Sequence, residues 1–304
     1  MELRIRGENY EEMINQCEYN EYAAARCDAL QLMLNDNEKE LRNLKLKKGE
    51  VIRAITDNVD SGDMYISNIS YKGESVIIRA LSTKLSCFKE KSFYRDNISF
   101  VEMVKEIEQE TGYKLNLIHT LDRSYIDITR MQQNPVAYLT ERLRLEGFML
   151  RVYDNRLIIY DEKIQEAKES VATMDETDFD GNLIYDTKDA HLIESIENTY
   201  KYDTHVISTL VKSGLEGKNI KTSIAVSSIA ESERFTKGLM REANKYEYLT
   251  SGLVSALDRR AGQSINLDCD VFGHNGKNYI YAIKHDLRNK RQKLFLRKPI
   301  EGDY

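Results

Sequence analysis

The sequence predicts a mixed β and α+β protein in which two antiparallel β-rich ends flank an α/β middle. Three observations predict it. Short β-branched runs punctuated by Gly and Asp fill the first eighty residues and return from Ser264 to Lys298. The apolar period lengthens to three and four at Ser99. An eight-residue pattern near the start recurs near the end.

At the N-terminal end, Leu30 to Leu34 is a candidate strand, and an apolar stretch from Leu41 to Leu46 ends in Lys47-Lys48-Gly49. Val51 to Ile55, Met64 to Ile69 and Ser75 to Ala80 follow as strands, separated by Asp60-Ser61-Gly62-Asp63 and Lys72-Gly73-Glu74. This reads as an all-β meander. Ser99 and Glu102 then make a capping box, with Ile98 and Met103 placed for a hydrophobic staple and Val101, Val104 and Ile107 on one helical face. Gly112 ends that helix. Asn134-Pro135 supplies an N-cap and a first-turn proline for a second helix that closes at Gly147. Asp154-Asn155 joins two apolar runs as a tight hairpin. From Asp161 to Lys188 the chain turns acidic and polar and reads as a connector. Beyond it, strands at Ile193 to Glu197 and Val206 to Val211 precede a helix from about Ala230 to Lys245, started by a capping box of Ser228 and Glu231. Phe235, Leu239, Ala243 and Tyr246 form its apolar stripe.

The 304 residues can bury a substantial core and are expected to form two or three domains. No apolar run is long enough for a transmembrane helix, and Met1 to Arg6 alternates charge with apolarity instead of forming a signal peptide, so synthesis is expected in the cytoplasm. Cys17, Cys27, Cys87 and Cys269 lack metal-ligand or Cys-x-x-Cys spacing and read as reduced apolar fillers. The net charge of −6 argues against a dedicated nucleic-acid binder.

Gly62, Tyr65, Ile66 and Ile69 match Gly276, Tyr279, Ile280 and Ile283 as Gly-x-x-Tyr-Ile-x-x-Ile, at an offset of 214 (276 minus 62). Val51-Ile52 has its counterpart in Ser264-Ile265. Ile77-Ile78-Arg79 is mirrored by Phe295-Leu296-Arg297 after a turn four residues longer. Two related β-domains are the reading. The early meander with Ser61 to Met64 and Ile78-Arg79-Ala80, the link Phe88 to Phe93, Gln133-Asn134-Pro135 leading into Leu139 to Phe148, and the closing Tyr279 to His285 resemble the phage late control D family. These are baseplate hub proteins, similar also to the N-terminal part of type VI secretion spike proteins.

The resemblance implies two tail-tube-like antiparallel β-barrel domains with an inserted α/β domain. The boundaries are 1–84 and 191–304 for the β-domains and 85–160 for the insertion, with 161–190 as the candidate to complete the first barrel. It also implies a homotrimeric hub of a contractile phage tail or tail-like bacteriocin, adapting a six-fold tube to a three-fold central spike. Partners would be the tail tube protein, the spike, inner baseplate proteins and the tape measure protein, with nucleic acid only in transit. The eight echo residues are the candidates for subunit or channel interfaces.

No catalytic residue, metal site or cofactor site is assigned. A tail-associated peptidoglycan hydrolase or a peripheral receptor-binding protein is the alternative. Glu106, Glu108 and Glu110 read as a solvated helix face, and His119, His191, His205, His274 and His285 as isolated, with His274 in a turn and His285 at a strand end. Lys284, Arg288, Lys290, Arg291, Lys293, Arg297 and Lys298 make the last hairpin basic, which reads as a solvated hairpin protecting a sheet edge, with a patch for an acidic partner protein or nucleic acid as the alternative.

Overall fold

Strand alternation sets the core of the N-terminal half. The computed structural model, described over residues 1–188, 192–255 and 258–300, builds this half from β1 (Glu2–Ile5), β2 (Glu8–Asn9), β3 (Ile14–Tyr22) and β4 (Ala29–Asn35). α1 (Glu40–Leu44), β5 (Val51–Ile55), β6 (Met64–Lys72) and β7 (Ser75–Leu81) complete it. Leu30, Leu32 and Leu34 of β4 and Val76, Ile78 and Ala80 of β7 are buried at the two-residue period of a half-covered strand. One segment of the expected all-β stretch is helical. The Asp36 carboxylate accepts the Leu41 N–H at 2.8 Å and the Arg42 N–H at 3.3 Å, which starts the short α1 and buries Leu41.

The middle contains β8 (Lys91–Ser99), α2 (Phe100–Thr111), β9 (Lys114–Ile118), β10 (Ser124–Gln133), α3 (Pro135–Glu146), β11 (Phe148–Tyr153) and β12 (Arg156–Asp161). Both helices begin and end where the sequence places them. Ser99 and Glu102 form the reciprocal capping box of α2, Asn134 caps α3, and Gly112 and Gly147 are left-handed at the C-caps. Asp154 and Asn155 both have positive φ in the β11–β12 turn, as a primed hairpin turn requires.

Next come α4 (Glu162–Ala167), β13 (Thr173–Asp175), β14 (Ile184–Thr187), β15 (Ile193–Tyr202), β16 (His205–Lys212) and β17 (Lys218–Thr222). The chain continues through α5 (Ile229–Asn244), β18 (Tyr248–Val254), β19 (Ser264–Asp268), β20 (Gly276–Asp286) and β21 (Arg291–Arg297). At α5 the box is only half made: Ser228 accepts the Glu231 N–H, whereas Glu231 turns to the N–H and hydroxyl of Ser227.

Among the described residues, thirteen strands belong to one sheet. Its first half runs β3-β4-β7-β6-β5-β1 and its second β14-β18-β21-β20-β19-β13, the same order when strands are matched along the chain. The register repeats too. The row Ile66, Ala80, Leu30, Tyr19 across β6, β7, β4 and β3 becomes Ile280, Leu296, Thr250, Tyr185 across β20, β21, β18 and β14. Both β6–β7 and β20–β21 carry a bulge, between Ile66 and Asn68 and between Ile280 and Ala282, at the offset of 214. Gly49 and Gly262, φ 87° and 93°, donate equivalent N–H bonds to the carbonyls of Ile66 and Ile280. One strand differs in sense, since β1 is antiparallel to β5 while β13 is parallel to β19.

This register corrects the expected alignment of the second arm. Arg79 takes the place of Phe295, not of Arg297, because the β20–β21 turn is two residues longer than its counterpart, not four. Three larger expectations also change. Strands from 161–190 join the second half, β13 on β19 and β14 on β18, and leave the first uncompleted. Within 191–304, β15–β17 form a separate sheet that α5 packs on, and α5 also packs against α3 in the middle segment. Finally, strand pairing among the described residues closes neither half into a barrel: β3 pairs outward with β20, which joins the halves edge to edge.

Candidate functional site

Seven of the eight echo residues are placed by the strands just described so that they serve the core. Tyr65, Ile66, Tyr279, Ile280 and Ile283 are buried, Ile69 packs against the first core, and Gly62 lies under the β11–β12 turn. Gly276 is partly exposed at the start of β20. Side chains buried inside one chain cannot line a channel, so any surface these hairpins offer comes from alternate residues and from free strand edges. Gly62 is left-handed at φ 64°, and a Cβ there would stand 3.1 Å from the Asp154 Cβ. Around it, Arg53 bridges Asp60 at 2.6 Å and Asp154 at 3.2 Å, and the Asn155 amide donates to Asp63 at 2.6 Å.

Where the halves meet, sequence reasoning missed a buried charged cluster. Glu21 of β3 lies opposite Ile283 of β20, fully buried. Its carboxylate is bonded to His285 Nε2 at 2.9 Å, to Arg151 of β11 at 2.6 Å and to Arg260 at 3.2 Å. Burial pushes the Glu21 carboxyl up, but the His285 bond and the two guanidiniums outweigh it and hold it at about 2. His285 does sit at a strand end, one residue before β20 closes at Asp286, but it is not isolated. It is fully buried, stacks on Tyr19 with ring centroids 5.4 Å apart, and contacts the Gln292 amide through Nδ1 at 3.1 Å. Burial raises Asp28, which accepts from the Tyr19 hydroxyl at 2.8 Å and pairs with Arg151 at 3.3 Å.

A second cluster ties α4 to α5 and β21. Glu162 pairs with Arg241, Lys245 and Arg297 at 3.2, 3.4 and 2.8 Å, and Glu166 pairs with Arg241 and Arg297. Burial again opposes the charge, and the three cations still hold Glu162 at about 2. A third joins α3 to α5, where buried Glu146 takes Arg123, Arg234 and the Tyr125 hydroxyl.

Glu162, Lys245 and Arg297 of the second cluster also line a cavity of about 390 Å³ between β21, the end of α5 and Tyr22 to Arg26. The groups of these clusters pair with one another, so they fix parts of the chain together. The cysteines point the same way. Burial pushes the Cys17 thiol up to about 12 and raises Cys27 and Cys87, the reverse of what a nucleophilic thiolate needs. Glu106, Glu108 and Glu110 are not a free solvated face: they take Arg95, the Leu115 N–H and Arg130. His191 lies outside the described residues, and among those described no three metal-binding side chains converge. His274 is buried in its turn between the hydroxyls of Thr250 and Thr187. Of the basic hairpin, Arg297 is buried, Lys284 pairs with Glu18 at 3.0 Å, and Arg288 donates to the Ile14 carbonyl.

No protein-family model matches the chain, and no curated protein matches it in sequence. Solved structures do match. A tail protein from Neisseria meningitidis superposes with a TM-score of 0.77 at 10% identity, over 98% of this chain and 95% of that one. The 43 kDa tail protein of prophage MuSo2 from Shewanella oneidensis gives 0.76 at 11%, over 98% of both chains. The chain has the fold of a phage tail protein. This tail-protein fold extends to the E. coli c3393 protein, a type VI secretion component described as structurally similar to T4 tail proteins gp27 and gp5, with a TM-score of 0.67 at 9% identity over 99% of this chain and 77% of that one. In that tail-protein fold the repeated half-sheets, their shared edge and the charged clusters are the features on which a role in assembly can rest.

Proposed function

We infer that the protein is a non-catalytic structural hub of a contractile tail, three copies of which form a ring between a six-fold tube and a three-fold spike. The observation that carries this is the repeated half-sheet: same strand order, same cross-strand row and same bulge at an offset of 214, within a tail-protein fold. Three copies offer six similar halves to a six-fold tube while keeping three-fold symmetry toward a spike. The α/β segments, bound to one another through α3 and α5, lie outside the repeat and suit contacts with baseplate neighbours. Assembly into the baseplate of a virion or tail-like particle follows from this role. Quantitative mass spectrometry of purified tail particles, normalised to the tube protein, tests it. Three copies per particle are expected; absence, or a copy number typical of fibres, overturns the hub and favours a hydrolase or receptor binder.

A further inference from the structure

We propose that each copy continues its sheet into the next copy, the free edge of β14 pairing antiparallel with the free edge of β6. The proposal deepens the ring reading and rests on it. Inside one chain the junction is visible: Ala282 to Asp286 of β20 pair with Tyr22 to Glu18 of β3, just after the bulge. The repeat assigns each partner an equivalent. Subtracting 214 from the β20 segment gives Asn68 to Lys72 of β6, and the Tyr19–Tyr185 correspondence carries the β3 segment to Ile184 through Lys188. Among the described residues neither edge has a strand partner. β6 meets β5 only at Met64 and Tyr65, and β14 pairs with β18 alone.

The hydrogen-bonding phase agrees. At the internal junction the Leu287 N–H donates to the Cys17 carbonyl and the Ala23 N–H to the Tyr281 carbonyl, so the odd-numbered residues of β20 bond toward β3 and Ala282, Lys284 and Asp286 toward β21. By the offset, Asn68, Ser70 and Lys72 bond toward β7. Alternation then turns the backbone groups of Ile69 and Tyr71 outward, where those of Ile283 and His285 meet β3. On β14 the Lys188 N–H bonds to Glu247 in the β18 ladder, leaving Tyr185 and Thr187 to face the open edge. The resulting register sets Ile69 opposite Thr187, Tyr71 opposite Tyr185 and Ser70 opposite Asp186. Tyr71 stands where His285 stands, so its ring meets Tyr185 as His285 meets Tyr19. Lys72 comes diagonal to Asp186, within reach of an ion pair. Exposure fits an unfilled edge, since Tyr71 is 49% and Ile184 58% exposed, although Arg42 covers one face of the Tyr71 ring. An exposed strand edge with apolar side chains invites another strand. Because the two edges differ, the contact is head to tail and closes a ring when the rotation allows.

The test is a disulfide across copies. Ser70 and Asp186 are both exposed and would form a non-hydrogen-bonded pair, whose Cα separation of about 4.5 Å suits a cystine. In the full chain carrying S70C and D186C, mild oxidation should convert most of the protein to a covalent trimer on a non-reducing gel. S70C with I184C, displaced by two residues, should not. Light scattering of the wild-type chain reads the ring separately. A wild-type trimer that S70C/D186C fails to lock overturns the strand pairing and leaves the ring standing. A wild-type monomer at every concentration, with no crosslink, overturns both.

Discussion

Glu21 sits fully buried where β3 pairs with β20, its carboxylate shared by His285, Arg151 and Arg260. Removing one member of a buried charged set leaves the others unpaired, so Glu21→Gln should destabilise the protein by about 3 kcal/mol. The sign with pH follows from its depressed pKa. The stabilisation is complete above the ordinary carboxyl value of 4.5 and is lost as pH falls toward about 2. Urea denaturation of wild type and Glu21→Gln across that window should therefore show a gap that closes at low pH, and a pH-independent gap would mean that the charge is not what matters. This residue was not legible in the sequence. A glutamate in Asn20-Glu21-Tyr22 reads as surface, and only the fold reveals that β3 turns Cys17, Tyr19 and Glu21 to one inner face. His285 was rightly placed at a strand end but misread as isolated for the same reason, because its partner lies 264 residues away.

At the level of elements, local signals were readable and long-range ones were not. Ser99, Gly112, Asn134-Pro135 and Gly147 fixed two helices because caps act over one turn. β3 and β8 escaped notice, since their burial patterns are broken by polar residues whose partners are distant. α5 shows the limit most clearly. Its apolar stripe was visible, but buried Ser232, Thr236 and Gly238 share its packed face, and the Cβ of an alanine at 238 would stand 2.4 Å and 2.5 Å from the carbonyl oxygens of Leu145 and Arg144. In an exposed helix Gly→Ala stabilises by about 1 kcal/mol. Here the α3 backbone cannot withdraw cheaply, so Gly238→Ala should instead destabilise by about 2 kcal/mol. A denaturation midpoint that rises would show that α3 and α5 are less tightly apposed.

For the whole molecule, the sequence echo located the repeat but not what the repeat does. Eight residues at an offset of 214 correctly paired β6 with β20, yet nothing local marks β3 as a neighbour of β20, and that one pairing makes two half-sheets into a single body. The contact is more than backbone. Leu287, in the β20–β21 turn, is 1% exposed within the core of the first half, and its N–H donates to the Cys17 carbonyl at 2.9 Å. The C-terminal hairpin thus supplies a core residue to a domain that begins the chain. Leu287→Ala should leave a cavity there and cost about 3 kcal/mol. Its distribution is the informative part. If the halves are stabilised jointly, hydrogen exchange in Leu287→Ala should accelerate in β3 and β4 as well as in β20, which is far from β4 in sequence but one side chain away in space. Acceleration confined to the β20–β21 turn would instead mean that the first half holds itself together, and that β3 reaches β20 only as one stable sheet edge meeting another.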